Sequence, residues 1–470
     1  MNLSEKMMNQ EVFGLKEKIS IVARLSIPGI LAQISDIIMQ YIDAAMVGVL
    51  GASASASIGL VSSSTWLLGG MLGAAASGFS VQAAHAVGAG DRKKASSLFK
   101  QSLLASLLFS LVLAFIGALI SRHLPAWLGA EESLWKDAVA YLFCFCIFIP
   151  VRQLNRLGAN MLQCSGDMKT PSILFTFMCL LDVVFNYFLI FPSRTVTIGS
   201  LNLWMPGAGL GVLGAQLGTS LSVLLCTVLL ILHAGVKSPV LALKYSDEGW
   251  MVQKDVLSKA CRIGIPMALE SSALSFAQIV STMIIAPLGT VAIAAHSFAV
   301  TAESICYMPG YGIAQASTAL VGQTIGAKRK DLSRSFAWLS VAAGIFVMTF
   351  TGAAMYMLCP YVFAFLTPVK EVQTLGIRVL RYELFAEPLF AASIVVTGAL
   401  RGAGDTMVPG IINLFSMWGI RLTLAWFLSQ SMGLDGVWIA MAAELSCRGI
   451  FFLIRLKREK WLNLKEGVKS

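Results

Sequence analysis

Charged residues are scarce in this 470-residue chain, at 13% of the total, and histidines number only four. Histidines so few and so scattered would be hard to assemble into a metal or hydrolase site. The chain also lacks a CxxC pair, a GxxxxGK[ST] phosphate loop, a GxSxG nucleophile turn and an HExxH zinc motif. Its nine cysteines lie mainly in apolar segments, as small core residues do. These absences argue against an enzyme and against ATP as a source of energy.

Long apolar runs are abundant instead: hydrophobic residues reach 57% and the mean hydropathy is +0.76. A membrane-spanning helix needs about 20 mostly apolar residues. Lipid offers no partner to unpaired backbone groups, so such runs are expected to be helices. The fold class predicted is an all-α integral membrane protein. Its twelve predicted transmembrane helices (spans 1 to 12) are 25–50, 57–84, 97–122, 137–160, 171–192, 208–235, 262–288, 293–321, 335–360, 376–400, 409–430 and 433–455.

The basic residues predict the orientation in the membrane. Lysine and arginine gather in the loops of one side, for example at 92–94 and 328–330. The opposite loops hold little beyond Arg122, Lys136, Arg194, Lys370 and Arg378. By the positive-inside rule both termini are cytoplasmic, in a multi-pass protein of the cell (inner) membrane. The net charge of +10 then reflects topology and contact with anionic membrane lipid, so no nucleic-acid partner is expected.

The chain repeats itself at an offset of 238 residues. HAVGAGDRKK, which starts at His85, is echoed by QTIGAKRKD, which starts at Gln323, and residues 162–171 are echoed by 400–409. The same offset aligns Gly88 with Gly326, Pro28 with Pro266, and Pro150 with Pro388. One shift that aligns prolines inside apolar segments together with two loops indicates two copies of one membrane unit.

Six spans per copy is an even number, so both copies have the same orientation in the membrane. The prediction is two six-helix bundles related by a pseudo-two-fold axis along the membrane normal, as in parallel-repeat transporters. The domains expected are an N-terminal lobe at 1–236 (spans 1 to 6), a cytoplasmic linker at 237–260 and a C-terminal lobe at 261–470. The first copy has the longer external loop, at 191–209, for which a short hairpin and a coil both stay open.

Acidic residues inside the spans of the first copy are candidates for cation coupling. Asp36 and Asp43 lie seven residues apart in span 1, which places both on one helix face. Asp182 and Asn186 lie four apart in span 5, again on one face. A carboxylate deep in a membrane costs about 2.5–3.5 kcal/mol, and a proton or a bound cation would offset that cost. A basic partner or water would do so equally well, and both of those readings are purely structural.

The second copy has its own candidates, which we assign to substrate binding. Glu270 follows Pro266 by one turn in span 7, and Glu387 precedes Pro388 in span 10. Gln278 and His296 add polar groups on spans 7 and 8, although a lone histidine is more often a packing residue. Two further acids have local explanations. Glu444 and Arg448 are spaced for an intrahelical salt bridge, and Glu383 has Arg378 and Arg381 as possible partners.

Several segments resemble the multidrug and toxic compound extrusion (MATE) family. They include PGILAQISDIIMQYIDAAMVG in span 1, GAGDRKKA after span 2, and GALRGAGDT at 398–406. The resemblance covers essentially the whole chain. It implies two six-helix lobes around a central cavity that opens to each side in turn. It also implies export of cationic or amphiphilic compounds against inward Na⁺ or H⁺.

Individual residues carry over with some departures from the family pattern. The family's coupling aspartate in the first span falls on Asp43, whereas Asp182 and Asn186 stand in the reverse of the order seen in some bacterial branches. Leu274 occupies the place of the seventh-span glutamate, with Glu270 one turn earlier. The tenth-span acid is displaced to Glu387. Asp36 matches no signature of the family.

We therefore expect a cation-coupled antiporter that exports small molecules and is not an enzyme. It would need no cofactor beyond the coupling ion, Na⁺ or H⁺, with Asp43 as the one candidate metal ligand, and it would act as a monomer. Two alternatives are a lipid or glycolipid flippase of the same superfamily and a membrane-embedded transferase. The coupling ion, the natural substrate and the stoichiometry stay open.

Overall fold

Twelve membrane spans are present in the computed structural model, which describes residues 12–129, 131–198, 201–246 and 249–463. In this part of the chain, ten helices are long and apolar enough to cross a membrane, and two bent helix pairs supply the other two spans. The predicted fold class is thus confirmed. The unbent spans are Leu15–Gly48 (span 1), Ala52–Gly88 (2), Arg92–Ser121 (3), Lys169–Ile190 (5), Gly211–Leu232 (6), Lys254–Ile285 (7), Thr290–Gly326 (8), Lys330–Leu366 (9) and Leu434–Lys457 (12).

Spans 4 and 10 are bent at equivalent places. Span 4 consists of Glu132–Ile147 and Ile149–Cys164, which meet at 50°, and span 10 of Lys370–Leu384 and Glu387–Gly402, which meet at 58°. Pro150 and Pro388 lie in the first turn of each second half. Proline lacks a backbone N–H and its ring clashes with the preceding turn, so each helix breaks there. The aligned prolines of the sequence repeat therefore mark a shared bend.

Span 11 is irregular in a different way. It begins as Met407–Leu414, widens to a π-helix at Phe415–Leu422 and ends as Thr423–Met432. Short elements complete the chain: a helical turn at Leu124–Trp127, a π-turn at His233–Lys237 and 3₁₀ turns at Leu243–Tyr245, Ala286–Leu288 and Lys460–Asn463. π-helical turns are rare and often occur at functional sites.

The long loop between spans 5 and 6 is a β-hairpin. Strands β1 (Pro192–Ile198) and β2 (Leu201–Ala208) pair antiparallel, with Ile198 opposite Leu201 and an irregularity between Pro192 and Arg194. Of the two conformations left open for 191–209, the hairpin is the one adopted. Its extra residues explain why the repeat offset falls from 238 to 222 beyond this point, where Gly214 matches Gly436.

Each bundle has its own apolar core, and the two bundles meet along spans 1, 2, 7 and 8. Phe99, Leu157 and Met161 are fully buried in the first bundle, and Phe363 and Trp438 in the second. Span 1 packs on span 8, and span 2 on span 7. Glycine permits the close approach: a β-carbon on Gly29 would lie 2.6 Å from the carbonyl oxygen of Gly312, and one on Gly78 would lie 2.5 Å from that of Ala260. The repeat maps the contact of span 1 with span 8 onto the contact of span 7 with span 2, as a pseudo-two-fold axis requires.

Candidate functional site

Asp43, Asp182 and Asn186 form one cluster in the N-terminal lobe. The Asn186 side-chain amide donates to Asp43 Oδ1 at 2.7 Å and to Asp182 Oδ2 at 3.0 Å, so a single nitrogen bridges the two carboxylates. Asp182 and Asn186 are fully buried, and Asp43 is half-buried. Spans 1 and 5 pack against each other, which brings together residues more than 130 positions apart. Three of the four predicted coupling residues are thereby brought into contact.

Span 6 completes the cluster. The Thr219 hydroxyl lies 3.4 Å from Asp43 Oδ2 and the Ser222 hydroxyl lies 3.5 Å from Asp182 Oδ1. Gly218 lets the helices come this close, because a β-carbon there would lie 2.0 Å from Asn186 Oδ1. That amide oxygen is buried and has no hydrogen-bond partner within the described residues. A buried acceptor without a partner is costly unless something else satisfies it.

The cluster has an excess of negative charge. Among the described residues, neither Asp43 nor Asp182 forms an ion pair with a lysine, arginine or histidine. The charge of Arg152 on span 4 opposes that of Asp182, but its guanidinium lies 4.6 Å from the ring of Phe145 and forms no salt bridge with the aspartate. Two adjacent carboxylates with one unclaimed amide oxygen and two hydroxyls can share a proton or hold a small cation. The oxygen-only donor set suits a hard cation such as Na⁺.

Asp36 is not part of this cluster. Its carboxylate accepts a hydrogen bond of 3.2 Å from Gln40 on its own helix, and the side chain is half-exposed. Seven residues of helix separate it from Asp43, which corresponds to about 10 Å along the axis. The shared helix face predicted for these two aspartates does not bring them to one site, so this position does not support Asp36 as a second ligand.

Glu270 has an arginine partner in its own lobe. Both of its oxygens accept from Arg401 Nη2 at 3.0 Å, and Oε1 also accepts from Asn413 at 2.6 Å. The Glu270 side chain is almost fully buried. This arrangement differs from the expected free acid that attracts a cationic substrate, because the pair with Arg401 neutralises its charge.

Glu387 lies in a second acidic cluster, in the C-terminal lobe. It is the first residue after the bend of span 10, with Glu383 one turn before it and Glu303 on span 8. All three are buried, and their charges act on one another. The four carboxylate oxygens of Glu383 and Glu387 have no hydrogen-bond partner among the described residues. The local partners proposed for Glu383 are engaged elsewhere: Arg378 with Asp435 at 2.6 Å and Arg381 with Tyr356.

Two arginines oppose these acids from spans 11 and 12. Arg448 lies 3.2 Å from Glu444, so the predicted intrahelical pair is confirmed, and Ser416 donates to the same Glu444 oxygen at 2.5 Å. Arg421, in the π-helix, acts on Glu303 and Glu383 without a direct salt bridge in the described part of the chain. The three buried carboxylates of Glu303, Glu383 and Glu387 face Arg421, while Arg448 is paired with Glu444. This cluster therefore also has more negative than positive charge.

His296 and Gln278 lie apart from the acids as polar neighbours. His296 packs edge-on against Trp438, with ring centroids 5.7 Å apart, and its Nδ1 is buried without a partner among the described residues. That contact fits the packing role weighed for a lone histidine. The Gln278 side chain is exposed on span 7. Neither residue is hydrogen-bonded to Glu387.

Sequence reasoning missed Glu303, Arg152 and Arg401 as members of these clusters. Glu303 is a lone acid inside the apolar span 8, so the rule that singled out Asp43 would have found it. Arg152 lies just after Pro150, inside a predicted span, and was open to the same rule. Arg401 lies within GALRGAGDT, but no sequence signal shows that it reaches Glu270, 131 residues away.

Twelve spans in two duplicated bundles, with buried acids in each bundle, form the architecture of a polytopic membrane transporter. The sequence profile of the MatE family matches residues 28–188 and 266–427, one stretch in each copy. The chain belongs to the MATE family of transporters.

Two relatives are each described as a probable multidrug resistance protein NorM. The one from Thermotoga maritima is 26% identical over 459 residues, which covers 93% of this chain and 92% of the relative. The one from Oceanobacillus iheyensis is 25% identical over 450 residues, with coverage of 94% and 97%. A solved structure of an outward-facing multidrug resistance MATE transporter superposes with a TM-score of 0.86 at 19% identity, over 99% of this chain and 100% of that one. That similarity concerns the fold.

Proposed function

We propose that this transporter exports cationic or amphiphilic small molecules in exchange for Na⁺ or H⁺, through Asp43 and Asp182. The observation that carries the proposal is the pair of carboxylates bridged by Asn186 without a basic ion-pair partner in the described part of the chain. Such a pair gains a positive charge more readily than two isolated aspartates, because the second negative charge opposes the first. The NorM relatives, named as multidrug resistance proteins, support the same substrate class.

The coupling step is a competition for the cluster's charge. A proton or Na⁺ that enters from outside offsets one of the two negative charges of Asp43 and Asp182, which relieves the repulsion between spans 1 and 5 and lets them repack. Release of the cation to the cytosol restores the negative charge and with it the attraction for a cationic substrate. Each positive charge that enters across 100 mV contributes about 2.3 kcal/mol. For Na⁺, the unpaired Asn186 oxygen and the Thr219 hydroxyl are the additional ligands.

The C-terminal acids are the candidates for the substrate's positive charge. Glu387 is assigned this role together with Glu303, whereas the pair with Arg401 removes Glu270 from it. Glu387 is fully buried in this conformation, so substrate contact requires the helices around it to part. Gln278 and His296 line the same lobe and are secondary candidates.

The location and orientation of the protein in the membrane are proposed from the charge of its loops. The protein lies in the cell membrane as a monomer, with both termini in the cytosol, because the basic loops mark that side. A flippase for a lipid-linked phosphate would need free buried arginines. Here Arg401 and Arg448 are each paired with a glutamate. The two buried arginines without a salt bridge in the described part of the chain, Arg152 and Arg421, each face the acids of a cluster, so export of cations is the better account.

Transport in proteoliposomes tests the proposal. The purified protein would be reconstituted into liposomes loaded with ethidium, and Na⁺ and pH gradients would be imposed across the membrane one at a time. Asp43→Asn should reduce gradient-driven export at least tenfold, while Asp36→Asn serves as a matched control on the same helix and should stay near wild type. Wild-type export by Asp43→Asn, or equal loss in both variants, would contradict the assignment. Export driven by one gradient alone identifies the ion.

A further inference from the structure

Two grooves occupy equivalent places on the outside of the two lobes. One, of about 430 Å³, lies beside the first half of span 4 and is lined by Arg122, Lys136 and Phe143. The other, of about 420 Å³, lies beside the first half of span 10 and is lined by Arg378, Arg381 and Phe385. The offset of the sequence repeat maps residues 136–143 onto 374–381. The grooves are therefore one feature present twice.

Both grooves are formed by outward-facing side chains: Phe385 lines the second groove, whereas Glu383 of the acidic cluster, on the same half of span 10, is fully buried. The first halves of spans 4 and 10 pack on helices of their own lobes. Phe385 is 76% exposed, and on the neighbouring span 9 Tyr361 is 76% and Phe365 91% exposed. Large apolar side chains exposed on a membrane span face lipid tails. The grooves therefore open sideways toward the bilayer, near the end opposite the basic loops.

The second groove combines a cationic donor with an apolar wall. The Arg381 guanidinium lies 4.7 Å from the ring of Tyr356, and its Nη2 is 3.4 Å from the Tyr356 carbonyl oxygen. Its Nε is buried without a hydrogen-bond partner among the described residues. Asp435 engages Arg378, so Arg381 is the groove's available donor. Tyr356 and Phe385, with ring centroids 5.7 Å apart, form the wall below it.

The dimensions suit a lipid rather than a soluble anion. From Thr374 to Phe385 the groove follows eleven residues of helix, which is about 16 Å and close to the depth of one leaflet. The cations of the two grooves are not at equivalent positions: Lys136 aligns with Thr374, and Arg381 aligns with Phe143. Each groove thus has a cation, although a different position of the repeat supplies it. An anionic ligand common to both grooves accounts for this.

We infer that the two grooves bind anionic phospholipids of the external leaflet. The phosphate accepts from Arg381 in one groove and from Lys136 in the other, and an acyl chain lies against Phe385 or Phe143. Zwitterionic lipids bind less tightly, because their ammonium group offsets the attraction of the phosphate for these cations. The carboxylates of the Asp43 and Glu387 clusters take no part in this lipid binding.

Native mass spectrometry of the full-length protein, titrated with phosphatidylglycerol and phosphatidylethanolamine in detergent, tests the inference. Wild type should retain two phosphatidylglycerol molecules about fivefold more tightly than phosphatidylethanolamine, since each nearby cation contributes roughly that factor. Arg381→Gln and Lys136→Gln should each lose one tight site, and the double variant both. Lys457→Gln, which removes an exposed cation at the opposite end of span 12, should retain both sites.

Two results of this titration would overturn the inference. One is a wild-type protein that shows no preference for phosphatidylglycerol, and the other is a Lys457→Gln variant that loses tight lipid sites as the groove variants do. Displacement of the bound lipid by equimolar glycerol phosphate would mean that the grooves bind a soluble anion instead. Unfolded variants are recognised by their broadened charge states, and Arg381→Lys, which keeps the charge, should then recover the site. The readout is independent of export, so it separates from a failure of the transport proposal.

Discussion

His85 reaches across the two lobes to Gly402: its Nε2 lies 2.9 Å from the Gly402 carbonyl oxygen at the end of span 10. The repeat produces the same bond in reverse, since Gln323, the counterpart of His85, donates to the carbonyl oxygen of Cys164 at 2.9 Å at the end of span 4. Each lobe thus holds the final carbonyl groups of the other lobe's bent span. The two bonds close the molecule at the end that bears the basic loops.

Removal of both cross-lobe bonds should favour opening at this end. Each neutral hydrogen bond contributes about 1 kcal/mol, so His85→Ala with Gln323→Ala should shift the closed-to-open ratio by about one order of magnitude or more. Distances between spin labels in the 88–92 and 326–330 loops would report the shift. Gln373→Ala removes a comparable bond, to Thr367, inside one lobe, and should leave the distances unchanged. Unaltered distances in the double variant would show that the bonds do not hold the closed state.

Gly88 and Gly326 should tolerate no side chain in the closed conformation. A β-carbon on Gly88 would lie 1.8 Å from the Gln323 carbonyl oxygen, and one on Gly326 would lie 2.0 Å from that of His85. A backbone carbonyl cannot move aside as a side chain does. Gly88→Ala should therefore make the free energy of lobe closure less favourable by about 1–3 kcal/mol. Cysteine cross-linking between the ends of spans 2 and 8 would measure this loss. Gly59→Ala on the same span meets open space and should cross-link as wild type does.

Glu270 and Arg401 should behave as a structural pair. Glu270→Gln removes the charge that balances Arg401 and should lower the free energy of unfolding by about 1.5–3 kcal/mol, since the Arg401 side chain is partly exposed. Glu270→Gln combined with Arg401→Gln removes both charges and should recover most of that loss, as measured by thermal unfolding in detergent together with export. If Glu270 instead binds substrate, the double variant will be stable but inactive. That result would restore its role as a substrate ligand.

One ion pair on the basic side differs between the copies. Asp167 lies 3.3 Å from His233 Nε2, whereas at the corresponding places Asp405 lies 2.5 Å from Arg455 Nη2. The side chains of the N-lobe pair are 31% and 32% exposed, whereas those of the C-lobe pair are 16% and 5% exposed. The N-lobe pair is therefore the longer and the more solvated of the two, so it contributes less to holding its loop.

Hydrogen exchange of the two loops should reveal this difference. After correction for intrinsic rates, amides of 165–170 should exchange up to about fivefold faster than those of 403–408, because a partly exposed pair contributes at most about 1 kcal/mol. His233→Arg, which copies the residue type of the C-lobe pair, should narrow this difference between the two loops. An unchanged difference in that variant would assign it to another contact.

Local features of the fold and site could be predicted from the sequence because periodicity determines them. The bends follow from Pro150 and Pro388, and the salt bridge of Glu444 with Arg448 follows from a spacing of four residues on one helix. The shared face of Asp182 and Asn186 has the same origin, and their bond of 3.0 Å agrees with it. The rule that a charge inside a span requires an explanation identifies Asp43 and Glu387, and it applies equally to Glu303.

The sequence by itself determined the number of spans, their duplication and the helix face on which each acid lies, since these depend on apolar run length and on 3.6 residues per turn. Only the tertiary structure decided which acids have partners. Asp43 and Glu270 are both acids in the apolar part of the first span of their lobe, yet Asp43 meets Asn186 and Glu270 meets Arg401. The rotation and packing of neighbouring helices bring these groups together, and no local pattern encodes contacts between residues 131 and 143 positions apart.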